Sequence, residues 1–256
     1  MEIIQKELSF YRDSKRIYGR LYLPARLSET GVKPPAVILS HGFNGDISGI
    51  GSFAGEFAGA GCIAYAYEFI GGGLNVQSDG KTTEMSVLTE AEDLKCVMDG
   101  IAALPEVDPD NLFLMGESQG GFVSTYAAAE YPDKVRGLIA LFPAYVLQDD
   151  ARARVRRNHS IPDIEEVMGV PLGRIYTEDA GSFDIYDRMP AYKSPVLLLH
   201  GTADTLVPLR YSERAAEVFP HAVLIKIPGA GHGFVGRERE QAMEEMLRFI
   251  RENERQ

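Results

Sequence analysis

The 256-residue sequence predicts an α/β protein with a mostly parallel central sheet, helices on both faces and a small inserted cap. Short apolar runs alternate with helical patterns along most of the chain, which is the order that parallel strands with crossover helices require. Several of these runs are apolar without interruption, as expected of strands covered on both faces. The alternation breaks once, at residues 143–194, a stretch too long for an ordinary loop. We therefore predict one domain over residues 1–256, with a cap insertion at 143–194.

The first half of the chain contains an edge hairpin followed by strand–helix units. The predicted elements are strands at 2–10 and 17–23, a strand at 36–40, a helix at 52–60, a strand at 62–67, a helix at 83–104 and a strand at 111–115. Gly61 ends the first helix, and Thr82 or Thr83 is the predicted N-cap of the second. Glycines at 71–73 and 80 mark a long loop between strand and helix.

The second half repeats the same rhythm on either side of the insertion. The predicted elements are a helix at 121–130, strands at 135–142 and 196–200, a helix at 211–219, a strand at 222–227 and a helix at 238–252. In the insertion, the arginine-rich run 152–157 is expected to be a solvated helix face. Gly71-Gly72-Gly73 follows a strand but lacks the G-x-G-x-x-G spacing, so nucleotide binding is not indicated.

Composition and charge narrow the class of protein. Hydrophobic residues make up 45% of the chain and charged residues 25%, which is ordinary for a soluble globular domain. The formal net charge of -11 argues against nucleic acid or an anionic membrane surface as the main partner. No apolar run approaches 18 residues, and the first residues lack the pattern of a signal peptide, so a cytoplasmic location is expected. Cys62 and Cys96 are predicted to be buried thiols, not a disulfide.

The sequence Gly116-Glu117-Ser118-Gln119-Gly120 has the form G-x-S-x-G and lies between a predicted strand and a predicted helix. A serine on such a sharp turn presents its hydroxyl above the edge of the sheet, and the flanking glycines let the backbone pass closely. The helix that follows directs its positive N-terminal end at the same point, where an oxyanion would develop. Ser118 is therefore the candidate nucleophile.

Five histidines could supply the base that a serine nucleophile needs. In open parallel sheets, sites lie beyond the carboxyl ends of the strands. His232 follows strand 222–227 at that edge in a glycine-rich loop, whereas His221 precedes the same strand. His41 and His200 each end a strand and stay as alternative bases, their other role being to shape turns beside the site. His159, in the insertion, is expected at the surface. His232 is the predicted base.

The carboxylate and the oxyanion donors are predicted from the same edge of the sheet. Asp204 follows strand 196–200, so the chain order is Ser118, Asp204, His232, as in the nucleophile-elbow hydrolases. The alternative for Asp204 is a turn-forming role. Two backbone N–H groups would bind an oxyanion, one from Gln119 and one from the loop after strand 36–40, where Phe43 is the best donor by position.

These motifs resemble those of the α/β-hydrolase superfamily over essentially the whole chain. The matching stretches are His41-Gly42-Phe43, Gly116-Glu117-Ser118-Gln119-Gly120-Gly121, Gly201-Thr202-Ala203-Asp204 and Gly229-Ala230-Gly231-His232. Within the superfamily, the chain looks most similar to bacterial cinnamoyl and feruloyl esterases, which also carry a compact insertion. The resemblance implies hydrolysis of hydroxycinnamoyl esters by serine, histidine and aspartate, with no metal or other cofactor. It also implies Phe43 and Gln119 as oxyanion donors.

The resemblance further implies that the insertion supplies polar groups to the phenolic end of the acyl group. Asp149 and Tyr176 occupy roughly comparable places in this sequence. An aromatic-lined cleft would suit an apolar acyl group, and Tyr145 and Phe234 are the further candidates for its walls.

The resulting hypothesis is a serine carboxylic-ester hydrolase that forms an acyl-enzyme with hydroxycinnamoyl or other small aryl or short acyl esters. The expected partner is a small-molecule ester, with no nucleic acid and no membrane, and a homodimer stays open. A thioesterase, a monoacylglycerol lipase and an aminopeptidase-like serine hydrolase would use the same three side chains. A non-catalytic ligand receptor is the alternative from a different class.

Overall fold

A computed structural model describes residues 2–25 and 33–255. The strands are β1 (Ile3–Glu7), β2 (Phe10–Arg12), β3 (Lys15–Ile17), β4 (Gly19–Pro24), β5 (Ala36–Ser40), β6 (Ile63–Tyr67), β7 (Leu112–Glu117), β8 (Gly137–Leu141), β9 (Ile164–Val167), β10 (Val170–Gly173), β11 (Val196–Gly201) and β12 (Ala222–Ile227). Eight of them form one sheet in the order β1-β4-β6-β5-β7-β8-β11-β12. Only the β1–β4 and β4–β6 pairs of this sheet are antiparallel. The predicted fold class is confirmed.

Helices cover both faces of this sheet. They are α1 (Ile47–Gly59), α2 (Val87–Ala102), α3 (Ser118–Glu130), α4 (Leu147–Asn158), α5 (Arg174–Gly181), α6 (Ile185–Arg188), α7 (Arg210–Val218) and α8 (Arg237–Asn253). One apolar cluster joins the sheet to α2, α3, α7 and the insertion, and a second joins it to α1 and α8. Every residue of β5 and β8 is buried, which agrees with their mainly apolar sequences. The polar exception is Ser40, whose hydroxyl lies 2.9 Å from that of Tyr67. None of the described helices has the length and apolarity needed to cross a membrane.

The N-terminal region, predicted as one hairpin of two strands, contains four shorter strands. β1 pairs with β4 at the edge of the sheet, while β2 and β3 form a separate short hairpin. Its turn lies at Asp13 and Ser14, both in the left-handed region, with φ values of 49° and 68°. That geometry twists a two-residue hairpin in the same sense as its strands.

The helix predicted from Thr83 begins later. Thr82–Glu84 is a single 3-10 turn, and α2 begins at Val87 with Ser86 as its N-cap. Ser86 and Thr89 form a reciprocal capping box, in which the Ser86 N–H donates to Thr89 Oγ1 at 2.9 Å. The Thr82 hydroxyl instead donates to the Pro171 carbonyl oxygen at 2.6 Å. Thr82 and Thr83 are therefore wrong as N-caps, because the Thr82 hydroxyl holds a strand of the insertion.

Residues 143–194 connect β8 to β11 and contain α4, the β9–β10 hairpin, α5 and α6. Besides the Thr82 contact, Ser86 Oγ donates to Asp179 of α5 at 2.5 Å. The start of α2 thus holds the insertion at two points. Cys62 is buried as predicted, whereas Cys96 is only partly buried, with its Sγ 3.4 Å from the Tyr11 carbonyl oxygen.

The turn from β7 into α3 crosses the end of β5 with almost no space between the two backbones. A Cβ atom on Gly120 would overlap the carbonyl oxygens of Ser40 and His41, and one on Gly116 would overlap the carbonyl oxygen of Gly120. The two glycines of the G-x-S-x-G motif are therefore required by backbone packing.

We expect Gly120→Ala to lower the free energy of unfolding by about 1–3 kcal/mol, because the added methyl group must displace backbone atoms. The matched control is Gly49→Ala in α1, where no atom lies within 4 Å of the new methyl group. This control should raise stability by about 0.5–1 kcal/mol. Urea denaturation of both variants measures the difference. A Gly120→Ala protein as stable as the wild type would contradict the packing argument.

Candidate active site

Ser118 lies at the junction of β7 and α3 with a φ of +51°, in the left-handed region that serine rarely adopts. Such strain persists only where the surrounding structure imposes it, and here it is imposed by the crossing at Gly116 and Gly120. The first N–H groups of α3 have no intrahelical acceptor, so the N-terminal end of this helix carries a partial positive charge next to Ser118.

His232 contacts both Ser118 and Asp204. Its Nε2 lies 2.9 Å from Ser118 Oγ, and its Nδ1 lies 2.8 Å from Asp204 Oδ2. Because a carboxylate only accepts, Nδ1 carries the proton, and Nε2 is left with a lone pair directed at the serine hydroxyl. The edge of the imidazole packs against Phe142, with ring centres 4.8 Å apart, which fixes its plane. The arrangement can therefore remove a proton from Ser118.

Asp204 is held by the backbone of its own loop. Its Oδ1 accepts hydrogen bonds from the N–H groups of Leu206 at 2.9 Å and Val207 at 2.8 Å. Asp204 is 8% exposed, so these donors replace the water that a buried carboxylate would otherwise need. Oδ2 is left to face His232.

His200 lies behind Asp204 and is fully buried. Burial lowers the pKa of His200, so the ring is neutral near pH 7. Nε2 donates to the Val207 carbonyl oxygen at 2.8 Å, and Nδ1 accepts from the Ser212 hydroxyl at 2.7 Å. Nε2 also lies 3.3 Å from Asp204 Oδ2. His200 therefore supports the loop that carries Asp204 and does not approach Ser118 as a base.

His41 is likewise enclosed, and burial lowers its pKa to about 4. Its Nδ1 donates to the Gly42 carbonyl oxygen at 2.8 Å, and its Nε2 accepts from the Phe69 N–H at 3.2 Å. With both ring nitrogens occupied, His41 shapes the loop after β5. His159 is exposed at the C-terminal end of α4, and His221 precedes β12 at the opposite edge of the sheet.

The loop after β5 borders the nucleophile. A Cβ atom on Gly42 would lie 3.2 Å from Ser118 Cβ, so this loop and the serine turn are in contact. Among the described residues, no carbonyl or side chain accepts a hydrogen bond from the Phe43 N–H. Gln119 contributes an N–H from the first turn of α3. The two expected oxyanion donors therefore border Ser118 from two segments, Phe43 from the loop after β5 and Gln119 from the first turn of α3.

Two openings meet at Ser118. The more enclosed one is a mainly apolar cleft beneath the insertion. It is lined by Phe43, Ser118, Gln119, Ala144, Val146, Leu147, Asp150, Arg154, Val167, Met168, Tyr176, Leu206 and Val207. The second is a more open groove beside His232, Gly42 and Phe142. Ser118 thus separates an enclosed side from an open side.

Of the four residues expected in the substrate pocket, Tyr176 lines the enclosed cleft. Asp149 lies outside it and accepts from the Tyr211 hydroxyl at 2.9 Å, whereas its neighbour Asp150 faces the cleft. Consecutive residues of a helix point about 100° apart around its axis, so Asp149 and Asp150 face different ways. The sequence does not show which side of α4 faces the cleft. The expectation for Asp149 is corrected to Asp150.

Tyr145 and Phe234 also lie away from both openings. Tyr145 is fully buried, with its hydroxyl 2.7 Å from that of Thr125. Phe234 packs edge-on against Phe142 at 5.0 Å between ring centres. Both aromatic side chains are part of the packing behind the site.

Arg154 is a cleft residue that the sequence interpretation missed. Within the run expected to be a solvated face, its side chain is only 13% exposed. Nε donates to Thr177 Oγ1 at 3.2 Å, and the guanidinium lies 5.7 Å from the centre of the Tyr176 ring. Leu147, Asp150 and Arg154 are three and four residues apart, which places them on one face of a helix. That spacing is the signal that could have identified the face.

Two models of known protein families match this chain. Residues 33–177 match the family model described as serine aminopeptidase, S33, and residues 179–255 match that of a TAP-like protein. An uncharacterized protein of Mycobacterium tuberculosis is 27% identical over 223 residues, which are 86% of this chain and 69% of that protein. The mitochondrial palmitoyl-protein thioesterase ABHD10 of Mus musculus is 25% identical over 202 residues, which are 72% of this chain and 64% of that protein.

A solved structure shows the same architecture. Est1E from Butyrivibrio proteoclasticus, with ferulic acid bound, superposes with a TM-score of 0.85 at 25% identity. The superposition covers 96% of this chain and 98% of that one.

The buried His41 makes stability dependent on pH. Its pKa is about 4 in the folded protein and about 6.5 in an unfolded chain. Between pH 6.5 and pH 4 the imidazole is therefore protonated in the unfolded state but neutral in the folded one, so lowering the pH favours unfolding. The wild type should therefore lose about 3 kcal/mol relative to His41→Gln as the pH falls from 7 to 4. Chemical denaturation of both proteins across this range tests it, and a pH-independent difference would contradict a neutral, buried His41.

Proposed function

The chain belongs to the serine aminopeptidase S33 family of α/β hydrolases, and from this membership we propose that it is a serine carboxylic-ester hydrolase that works through an acyl-enzyme. The observation that carries the proposal is the contact of His232 with Ser118 at 2.9 Å and with Asp204 at 2.8 Å. A nucleophile, a base and a carboxylate that orients the base are the groups that acyl transfer needs.

In the proposed first step, Ser118 Oγ attacks the ester carbonyl carbon while His232 Nε2 takes the hydroxyl proton. Asp204 holds the ring in the required tautomer and stabilises the imidazolium that forms. The N–H groups of Phe43 and Gln119 donate to the oxyanion of the tetrahedral intermediate. When the intermediate collapses, the bond between the carbonyl carbon and the alcohol oxygen breaks, and His232 gives its proton to the alcohol.

The second step repeats this chemistry with water. His232 takes a proton from water as the water oxygen attacks the acyl carbon, and the same two N–H groups hold the second oxyanion. Collapse breaks the bond to Ser118 Oγ, and His232 returns the proton to the serine. The carboxylic acid is then released.

The proposed substrates are hydroxycinnamoyl esters or other small aryl or short acyl esters. The cleft is mostly apolar and has the aromatic rings of Phe43 and Tyr176 in its walls, which suits a flat acyl group. Asp150 and Arg154 add an acceptor and a donor to the same cleft, which suits an acyl group that carries a hydroxyl. The similarity to the structure of Est1E with ferulic acid bound supports the same choice.

We expect Ser118→Ala to lower kcat/KM for p-nitrophenyl butyrate by at least about 10³-fold, because no other group can form the acyl-enzyme. The matched control is Ser124→Ala on the same helix. The Ser124 hydroxyl is buried and has no hydrogen-bond partner among the described residues, so this variant should keep wild-type activity. Equal rates for wild type and Ser118→Ala would contradict the proposal. Labelling of Ser118 by a fluorophosphonate without turnover of any ester would favour a ligand receptor.

A thioesterase is the second candidate, because the chain is 25% identical to a palmitoyl-protein thioesterase over 72% of its length. An ester panel separates the two: methyl ferulate, p-nitrophenyl acetate, a monoacylglycerol and an acyl-CoA, with an amino-acid p-nitroanilide for the aminopeptidase-like alternative. We expect the highest kcat/KM for methyl ferulate. A higher value for the acyl-CoA would assign the enzyme to thioesters.

A further inference from the structure

Glu90 is a buried carboxyl group that the mechanism above does not use. It lies in the first turn of α2 and is 1% exposed. Burial raises the pKa of Glu90 well above its usual range, which favours the protonated form of this carboxyl group. Its Oε2 accepts a hydrogen bond from Gln119 Nε2 at 2.8 Å. Burying a carboxyl group costs folding free energy unless hydrogen bonds compensate for the lost water. The contact with Gln119 supplies such a hydrogen bond, and the position of Gln119 suggests what the buried carboxyl group does.

The Gln119 side chain is engaged at both ends. Nε2 donates to Glu90 and also lies 3.6 Å from Met85 Sδ, while Oε1 accepts from the Tyr176 hydroxyl at 2.8 Å. An amide with its oxygen and its nitrogen both committed has one orientation. Glu90, Gln119 and Tyr176 therefore form a continuous row from α2 through α3 to α5.

This row connects two parts of the site, the proposed oxyanion donor and the wall of the cleft, whose relative positions decide where the substrate carbonyl lies. Gln119 supplies the proposed oxyanion N–H directly after Ser118, and Tyr176 is a wall of the enclosed cleft. Fixing the side chain of Gln119 restricts the backbone of the same residue and so the direction of its N–H. A displacement of about 1 Å at a catalytic group can cost on the order of 10²-fold in rate.

We propose that Glu90 is a positioning residue, which acts through the Gln119 amide to hold the oxyanion donor and the Tyr176 wall in one arrangement. The inference rests on the proposed ester hydrolysis. Glu90 touches neither substrate nor Ser118 in this scheme, and its effect is transmitted entirely by the two hydrogen bonds of Gln119.

The first experiment compares Glu90→Met with Glu90→Gln. The methionine fills a similar volume but removes the acceptor, so kcat for p-nitrophenyl butyrate should fall at least about tenfold with KM changed less than about threefold. The glutamine keeps a neutral acceptor and should restore kcat to within about threefold of wild type. Glu92→Met, at an exposed site on the same helix, is the matched control and should leave kcat unchanged.

The second experiment is a double-mutant cycle with Tyr176→Phe, which keeps the ring in the cleft and removes only the hydroxyl. Tyr176→Phe alone should lower kcat several-fold, and its melting temperature should fall by a few degrees because the buried Gln119 Oε1 loses its donor. Glu90 and Tyr176 act on the same amide, so the double variant should be little slower than Glu90→Met. Effects that multiply would mean independent roles and would overturn the inference.

Three further outcomes decide the matter. If Glu90→Met keeps wild-type kcat, Glu90 has no positioning role. If Glu90→Met does not fold, Tyr176→Phe decides, because a wild-type kcat in that variant would show that the Gln119 orientation is irrelevant. If Ser118→Ala is as active as wild type, the proposed function itself has failed. The inference alone has failed when Ser118→Ala is inactive but kcat is insensitive to Glu90 and Tyr176.

Discussion

The close backbone approach between the β7–α3 turn and the end of β5 is the constraint on which the site depends. With no side chain at Gly116 or Gly120, the chain can turn directly over β5, and Ser118 is left in the left-handed region at the top of the sheet. The same approach brings the loop at Gly42 into contact with the serine. The position of Ser118 and its contact with the Gly42 loop are thus consequences of a single backbone crossing.

The rest of the site is held by groups that never approach Ser118. Two buried imidazoles, His41 and His200, are neutral and fix the loops on either side, each through two hydrogen bonds. In the proposed positioning role, Glu90 does the same for the first turn of α3 through Gln119. Buried polar groups with all partners present make a structure rigid in one arrangement, which is what a preorganised oxyanion site requires.

The parts predictable from sequence were those governed by local pattern. Strand β12 has the predicted bounds, and the three side chains at the ends of β7, β11 and β12 lie in contact, because the ends of neighbouring parallel strands meet at one edge. The start of α2 was missed because a contact with Pro171, distant in sequence, takes the hydroxyl of Thr82. The sequence does not single out Asp150 or Arg154 as cleft residues, because the side of α4 that faces the cleft depends on how the insertion packs.

The enclosed cleft and the open groove on either side of Ser118 affect how the two products of the proposed reaction leave the site. With the proposed acyl group in the enclosed cleft, the open groove beside His232 is the space left for the alcohol. The alcohol can therefore diffuse away while the acid is still attached, and water reaches His232 through the space that it vacates. Because the acyl-enzyme forms only as the alcohol is expelled, the proposed chemistry already sets the order of release, and the open groove gives the departing alcohol a direct route to solvent. The enclosed cleft surrounds the acid, so the acid is the half of the substrate that the protein contacts most extensively.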